Sequence, residues 1–150
     1  ERKTWTGDDL LRPLSKSGRR QSLHLAERLR ATVLHRVLSS PYVRCVQTVE
    51  PIALDHGLDV EVAAALAEGA PVVKALDLLR AVPYGTVLCS HGDLVPEIVG
   101  ALIRDGMVVN APDDFRKGVT WVLRRGDLRT GHGGRAGFVS ATVWAPPPSG

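Results

Sequence analysis

Only two cysteines, Cys45 and Cys89, occur in the chain, and they form neither a CxxC pair nor a disulfide framework. They read as reduced, buried small hydrophobes of a cytoplasmic protein. No apolar run is long enough to cross a bilayer, so no membrane partner is expected. No segment joins a basic start, an apolar stretch and a small-residue cleavage site, so no signal peptide is visible. HExxH and clusters of Cys and His are absent as well, so no metal or other cofactor is expected. No internal repeat and no linker divides the 150 residues, which fits one domain.

What is present suits a soluble globular protein. Hydrophobic residues make up 44% and charged residues 23%, enough to bury a core and solvate a surface. The net charge of +3 is a mild bias toward anionic ligands such as phosphates, and no nucleic-acid polymer is expected as partner. Basic residues are spread along the chain, and the short runs Arg19-Arg20 and Arg124-Arg125 read as solvated surface. The polar opening Glu1-Arg2-Lys3 has the character of mid-chain sequence.

Residues 1–15, punctuated by Gly7 and Pro13, read as a loop. A helix is expected from Ser17 to near Ala31, with Leu23, Ala26 and Leu29 spaced three apart and Leu25 beside them. Arg36–Ser40 is a short buried strand stopped by Pro41. Val43–His56 is a helix capped by Gly57, which Pro51 should kink because it lacks a backbone donor. Val60–Val62 is a strand, Pro71–Ala81 a helix, and Thr86–Cys89 the best strand in the chain. Leu94–Arg104 is a helix with Asp93 as N-cap and Gly106 at its end. Val119–Leu123 and Val139–Trp144 are late strands joined by a Gly-rich connection, and Ala145–Gly150 is a Pro-rich, disordered tail. Alternating strands and helices predict an α/β fold, a three-layer sandwich whose mostly parallel sheet carries helices on both faces.

Two strand ends carry chemistry. In Ser39-Ser40-Pro41-Tyr42-Val43-Arg44, a strand halts, a proline opens the next helix, and Arg44 falls in that helix's first turn. Ligands of open α/β sheets bind outside the carboxyl ends of strands, and a guanidinium fork there suits a phosphate. On spacing alone Arg44 serves equally as a surface partner of Glu50. In Val87-Leu88-Cys89-Ser90-His91-Gly92-Asp93, His91 stands at a strand tip, able to donate to an anionic oxygen or to titrate near neutral pH. A lone histidine at a strand end is more often structural; two such signals at matching strand ends point to a site.

Together with Leu14-Ser15-x-x-Gly18-x-x-Gln21, the segments Ser39-Ser40-Pro41-x-x-Arg44-x-x-Gln47-Thr48 and Ser90-His91-Gly92 resemble the signatures of the histidine phosphatase (phosphoglycerate mutase-like) superfamily, in family order. The opening Arg2-x-x-Trp5-x-Gly7-Asp8-Asp9-x-x-Arg12-Pro13-Leu14 and the later Arg116-Lys117-Gly118-x-Thr120-Trp121-Val122-Leu123 are similar to the phosphatase domain behind a Nudix domain in actinobacterial MutT-type hydrolases. That branch is similar in turn to the small SixA-like phosphohistidine phosphatases. The resemblance implies a phosphatase acting through a phosphohistidine intermediate on a phosphate ester, a phosphohistidine or a nucleotide phosphate. Its partners would be a phosphorylated small molecule, a nucleotide or a phosphoprotein, with a Nudix domain upstream. By motif match Arg44 is the phosphate clamp and His91 the second histidine. Glu68, in Leu66-Ala67-Glu68-Gly69, is placed like the family's proton donor, although a surface Glu in a loop has the same appearance. Thr48 can face the site or pack the helix, and Ser15 and Lys117 are further candidate oxygen contacts.

The family's nucleophile lies in an Arg-His-Gly or Arg-His-Ala motif ending the first strand, and neither tripeptide occurs here. His35-Arg36 has the order reversed, His24 and His56 lie on or at the end of helices, and His132 lies in the Gly-rich connection. The resemblance therefore places the nucleophile a few residues before Glu1. The domain is expected to occupy residues 1–145 without its first strand, followed by the tail 146–150. Two other readings stay open: a non-catalytic phosphate-binding or regulatory module of a Nudix-type nucleotide hydrolase, and a plain α/β domain.

Overall fold

The computed structural model describes residues 4–126 and 137–149. His132, most of the Gly-rich connection, Glu1–Lys3 and Gly150 lie outside the described residues. The element order is η1 (Asp9–Leu11), α1 (Lys16–Leu29), β1 (Arg36–Ser39), α2 (Val43–Asp55), β2 (Val60–Val62), η2 (Ala64–Leu66), α3 (Val72–Ala81), β3 (Thr86–Cys89), α4 (Leu94–Arg104), β4 (Val108–Val109), β5 (Thr120–Arg125) and β6 (Phe138–Trp144). The α/β reading holds. The short 3-10 turns and the two-residue β4 escaped it, being too brief for any periodicity to mark them.

One sheet has the order β2-β1-β3 and is wholly parallel; the other has the order β4-β6-β5, with β4 parallel and β5 antiparallel to β6. Alternation along β1 and β3 sends side chains to both faces. Val37, Val87 and Cys89 meet α1 and α2 in a cluster with Ala26, Leu29, Val49, Ile52 and Trp144. Leu38 and Leu88 point the other way, toward Leu66, Leu78 and Val82. Leu88 also packs with α3, α4 and β6 through Leu76, Leu94, Ile98 and Ala141. Those clusters make the three layers. Trp144 of β6 touches the cluster that holds Val87 of β3, yet no ladder joins the two sheets among the described residues.

The sequence motifs explain several local details. Ser15 caps α1, its Oγ accepting from Gly18 N at 3.1 Å. A Cβ on Gly18 would lie 3.0 Å from Leu14 Cδ2, so a larger residue there would push the leucine tip aside. The buried stripe of α1 is Ser22, Ala26 and Leu29, while Leu23, expected on it, is 58% exposed. Ser22 can take the inward position because its hydroxyl donates to Arg19 O at 2.7 Å and leaves no polar group unpaired. α2 continues through Pro51 from Val43 to Asp55. Residues 145–149, expected as a disordered tail, run against α1: Gln21 Nε2 donates to Pro147 O at 3.0 Å and Arg20 Nη1 to Ser149 O at 2.8 Å. No helix among the described residues is long and apolar enough to cross a membrane.

Candidate active site

Parallel pairing of β1 with β3 sets Ser39 opposite Cys89, so the two chemically marked turns leave the sheet side by side. Ser40 N extends the ladder by donating to Cys89 O at 2.9 Å. Beyond it α2 begins, with Arg44 in its first turn; beyond Cys89, the His91 carbonyl accepts from Leu94 N and Val95 N and so starts α4. His91 is only 7% exposed. Its Nε2 lies 2.7 Å from Ser40 Oγ and 3.6 Å from Cys45 Sγ, and its ring meets the Tyr42 ring edge-on at 4.6 Å. The Arg44 guanidinium lies over the other ring in that stack, 4.8 Å from the Tyr42 centroid.

Arg44 and His91 are therefore brought together, and Glu68 joins them: its Oε2 is 3.8 Å from Arg44 Nη2. The loop that carries Glu68 is fastened to the His91 turn twice, by Ser90 Oγ donating to Leu66 O at 2.7 Å and by Gly69 N donating to Asp93 Oδ2 at 2.8 Å. Asp93, expected to cap α4, makes no side-chain cap bond. Its own αR backbone keeps the carboxylate from the α4 amides, and it binds Gly69 instead.

Two groups escaped the sequence reading. The first is Asp9, whose carbonyl accepts from Arg44 Nη1 at 3.0 Å and whose Oδ2 accepts from Nη2 at 3.2 Å, while Oδ1 accepts from Arg12 Nε at 2.9 Å. The bond from Arg12, aided by the charge of Arg44, holds the Asp9 carboxyl below the usual carboxylate range. The second is the pair of thiols. Cys45 is not an inert hydrophobe: a hydrogen bond from Cys89, with His91 and Arg44 close by, holds its thiol down at about 5, while that bond and burial push Cys89 up. Neither had a sequence signal, because one depends on the loop folding back and the other on two thiols separated by 44 positions in the chain meeting at a strand end.

Other motif residues are structural. Gln47 Oε1 accepts from Leu14 N at 2.8 Å and ties α2 to the loop before α1. Thr48 Oγ1 donates to Arg44 O at 2.7 Å, so it packs its own helix, and Ser15 is spent on the α1 cap. His56 bridges Ile52 O and Thr32 O, each at 2.9 Å, far from this cluster in role. Among the described residues no group of His, Cys, Asp and Glu is arranged to hold a metal ion. The arrangement gathers an arginine fork, an imidazole and carboxylates at one end of the parallel sheet, a combination suited to an oxyanion and to proton transfer.

Residues 8–71 match the histidine phosphatase superfamily, branch 1. An 8-oxo-(d)GTP phosphatase of Mycolicibacterium smegmatis is 31% identical over 132 residues, which are 84% of this chain and 41% of that protein. The chain thus spans about two fifths of the length of that curated relative. The structure of the protein histidine phosphatase SixA with tungstate aligns at a TM-score of 0.71 and 22% identity, covering 97% of this chain and 90% of that one. A structure provisionally assigned as the phosphohistidine phosphatase SixA of Nakamurella multipartitia aligns at 0.69 and 23%, covering 95% and 89%. At such identities the two structures speak for the fold.

Proposed function

We propose that the chain is a histidine phosphatase superfamily member, as the match over residues 8–71 and the 31% identical relative support, and that it is the body of a phosphohydrolase site acting through a phosphohistidine intermediate. Arg44 is the phosphate clamp, His91 the second histidine that neutralises charge on the transferring group, and Glu68 the proton donor to the leaving oxygen. On this reading the attacking histidine is none of the five in this sequence, since no Arg-His-Gly or Arg-His-Ala motif occurs in it. The single observation that carries the reading is the Arg44–Tyr42–His91 contact series, 4.8 Å and 4.6 Å between successive members, with Glu68 3.8 Å from the arginine.

For the substrate, the relative with 8-oxo-(d)GTP phosphatase in its name favours a nucleotide phosphate. The setting is cytoplasmic. A second reading has a specific observation behind it: the chain contains neither Arg-His-Gly nor Arg-His-Ala. On that reading it is a non-catalytic phosphate-binding or regulatory module of a Nudix-type nucleotide hydrolase.

The natural full-length protein decides between them. Phosphate release from p-nitrophenyl phosphate, phosphohistidine and nucleoside triphosphates should fall about 100-fold or more in Arg44→Ala and His91→Ala, as when an oxyanion donor is removed elsewhere. Incubation with γ-labelled nucleotide should trap an acid-labile phosphoprotein. Phosphate binding with no turnover would favour the module; turnover indifferent to both substitutions would end the assignment.

A further inference from the structure

The Arg44 guanidinium is engaged by Asp9, and Asp9 is held at the same time by Arg12. We propose that Arg12 is a second anion-binding arginine of this seat, and that Asp9 fills, in the ligand-free protein, the position a phosphoryl group takes between the two guanidiniums. The proposal rests on the reading of Arg44 as the phosphate clamp and adds to it one further binding residue and one resident counter-anion.

Three observations carry it. Arg12 is a costly residue to leave underused: its side chain is only 13% exposed, and its single hydrogen bond runs from Nε to Asp9 Oδ1. Nη1 and Nη2 donate to nothing among the described residues, yet no buried side-chain nitrogen there lacks a partner, so these amino groups are accessible from outside. Next, a carboxylate held by two guanidiniums reproduces the charge and fork geometry that arginine offers a phosphate oxygen pair. Last, Asp9 is built to leave. Its side chain is 51% exposed, and it sits in the three-residue turn η1, which buries no residue of its own. The backbone of that turn is fastened without the Asp9 side chain, by Asp8 Oδ1 accepting from Leu10 N, Asp8 O from Trp5 Nε1, and Asp9 O from Arg12 N and Arg44 Nη1. The Asp9 carboxylate can therefore rotate out while its backbone and the turn stay.

Charge counting points the same way. Around the seat the two cations Arg12 and Arg44 face the carboxylates of Asp9 and Glu68. A phosphoryl group entering without displacing Asp9 would set three acidic groups on two arginines, a like-charge arrangement that disfavours binding.

A scaffold role for Asp9 predicts the opposite sign, which makes the test direct. Isothermal titration of tungstate, with inorganic phosphate as second probe, is run on the natural protein and its variants, and thermal melts check folding. Asp9→Asn should bind about threefold or more tighter, because the competing charge is gone. Arg12→Ala should bind about fivefold or more weaker, in the natural background and in Asp9→Asn alike, with Arg12→Lys intermediate because it keeps charge and loses the fork. Should Arg12→Ala not fold, Arg12→Gln and Arg12→Lys carry the same comparison. Weaker or unchanged binding in Asp9→Asn, or unchanged binding in the Arg12 variants while Arg44→Ala still weakens it, would overturn this inference alone. Unchanged binding in Arg44→Ala would remove the seat itself, and with it both readings.

Discussion

Ser40 and Ser39 are adjacent, of one kind and both wholly buried, yet only one of them touches His91. Ser40 Oγ lies 2.7 Å from His91 Nε2 and also accepts from Tyr42 N at 3.3 Å. Ser39 Oγ donates only to Ser40 O, at 2.8 Å. Replacing either by Ala deletes one buried hydroxyl and leaves its partner unpaired, a loss of about 1–3 kcal/mol. In a chain of this size that is a fall of roughly 2–12 °C in Tm for each variant. The functional consequences should part. Without Ser40, His91 Nε2 keeps only the long 3.6 Å contact to Cys45 Sγ, so the ring loses its anchor. Tungstate affinity should drop about tenfold, the equivalent of 1.4 kcal/mol, in Ser40→Ala and stay near the natural value in Ser39→Ala. Calorimetry gives both quantities, and the His91 ring signals in the NMR spectrum should move in the first variant only. Equal tungstate affinity in the two variants would refute the claim that Ser40 sets the imidazole.

Arg44→Ala should weaken phosphate binding about 10- to 100-fold, the range for charge-assisted hydrogen bonds of about 1.5–3 kcal/mol, as read by calorimetry. Gly85→Ala should lower the Tm, because Gly85 has φ +72° and a Cβ there would lie 2.7 Å from the backbone oxygen of Val33; at least about 1–2 kcal/mol of left-handed strain is expected. Thiolate absorbance near 240 nm should rise through a step near pH 5 that Cys45→Ser abolishes, since Cys89, His91 and Arg44 hold that thiol down; a step confined to alkaline pH would contradict this. The sign follows: a depressed folded pKa contributes stability that is complete above the unfolded value of about 8.5 and is lost as pH falls through about 5. Cys89, pushed up, works against it only at alkaline pH.

The sequence disclosed those features that a single local pattern encodes. β2, β3 and α4 fall on the residues expected for them, because short apolar runs bounded by Gly and Pro, and a helix closed by Gly106, each carry their own boundary. The convergence of Arg44 and His91 was legible for a different reason, since two strands paired in parallel must end on the same edge, whereas Glu68 had only the family resemblance behind it. Hidden were the features made by long-range return of the chain. Asp9 reaches Arg44 across 35 positions, and Ser40 reaches His91 across 51. Leu23 looked buried because hydrophobicity was read without regard to which side chain the α1 stripe selects; Ser22 is inside because its hydroxyl finds a carbonyl one turn back.

The most direct test of the shared seat is a crystal structure of the natural protein soaked in tungstate, whose scattering locates the anion without ambiguity. One tungstate within hydrogen-bond distance of both the Arg44 guanidinium and the His91 ring is the expected result. Tungstate bound elsewhere, or touching one of the two residues while the other faces away, would contradict it.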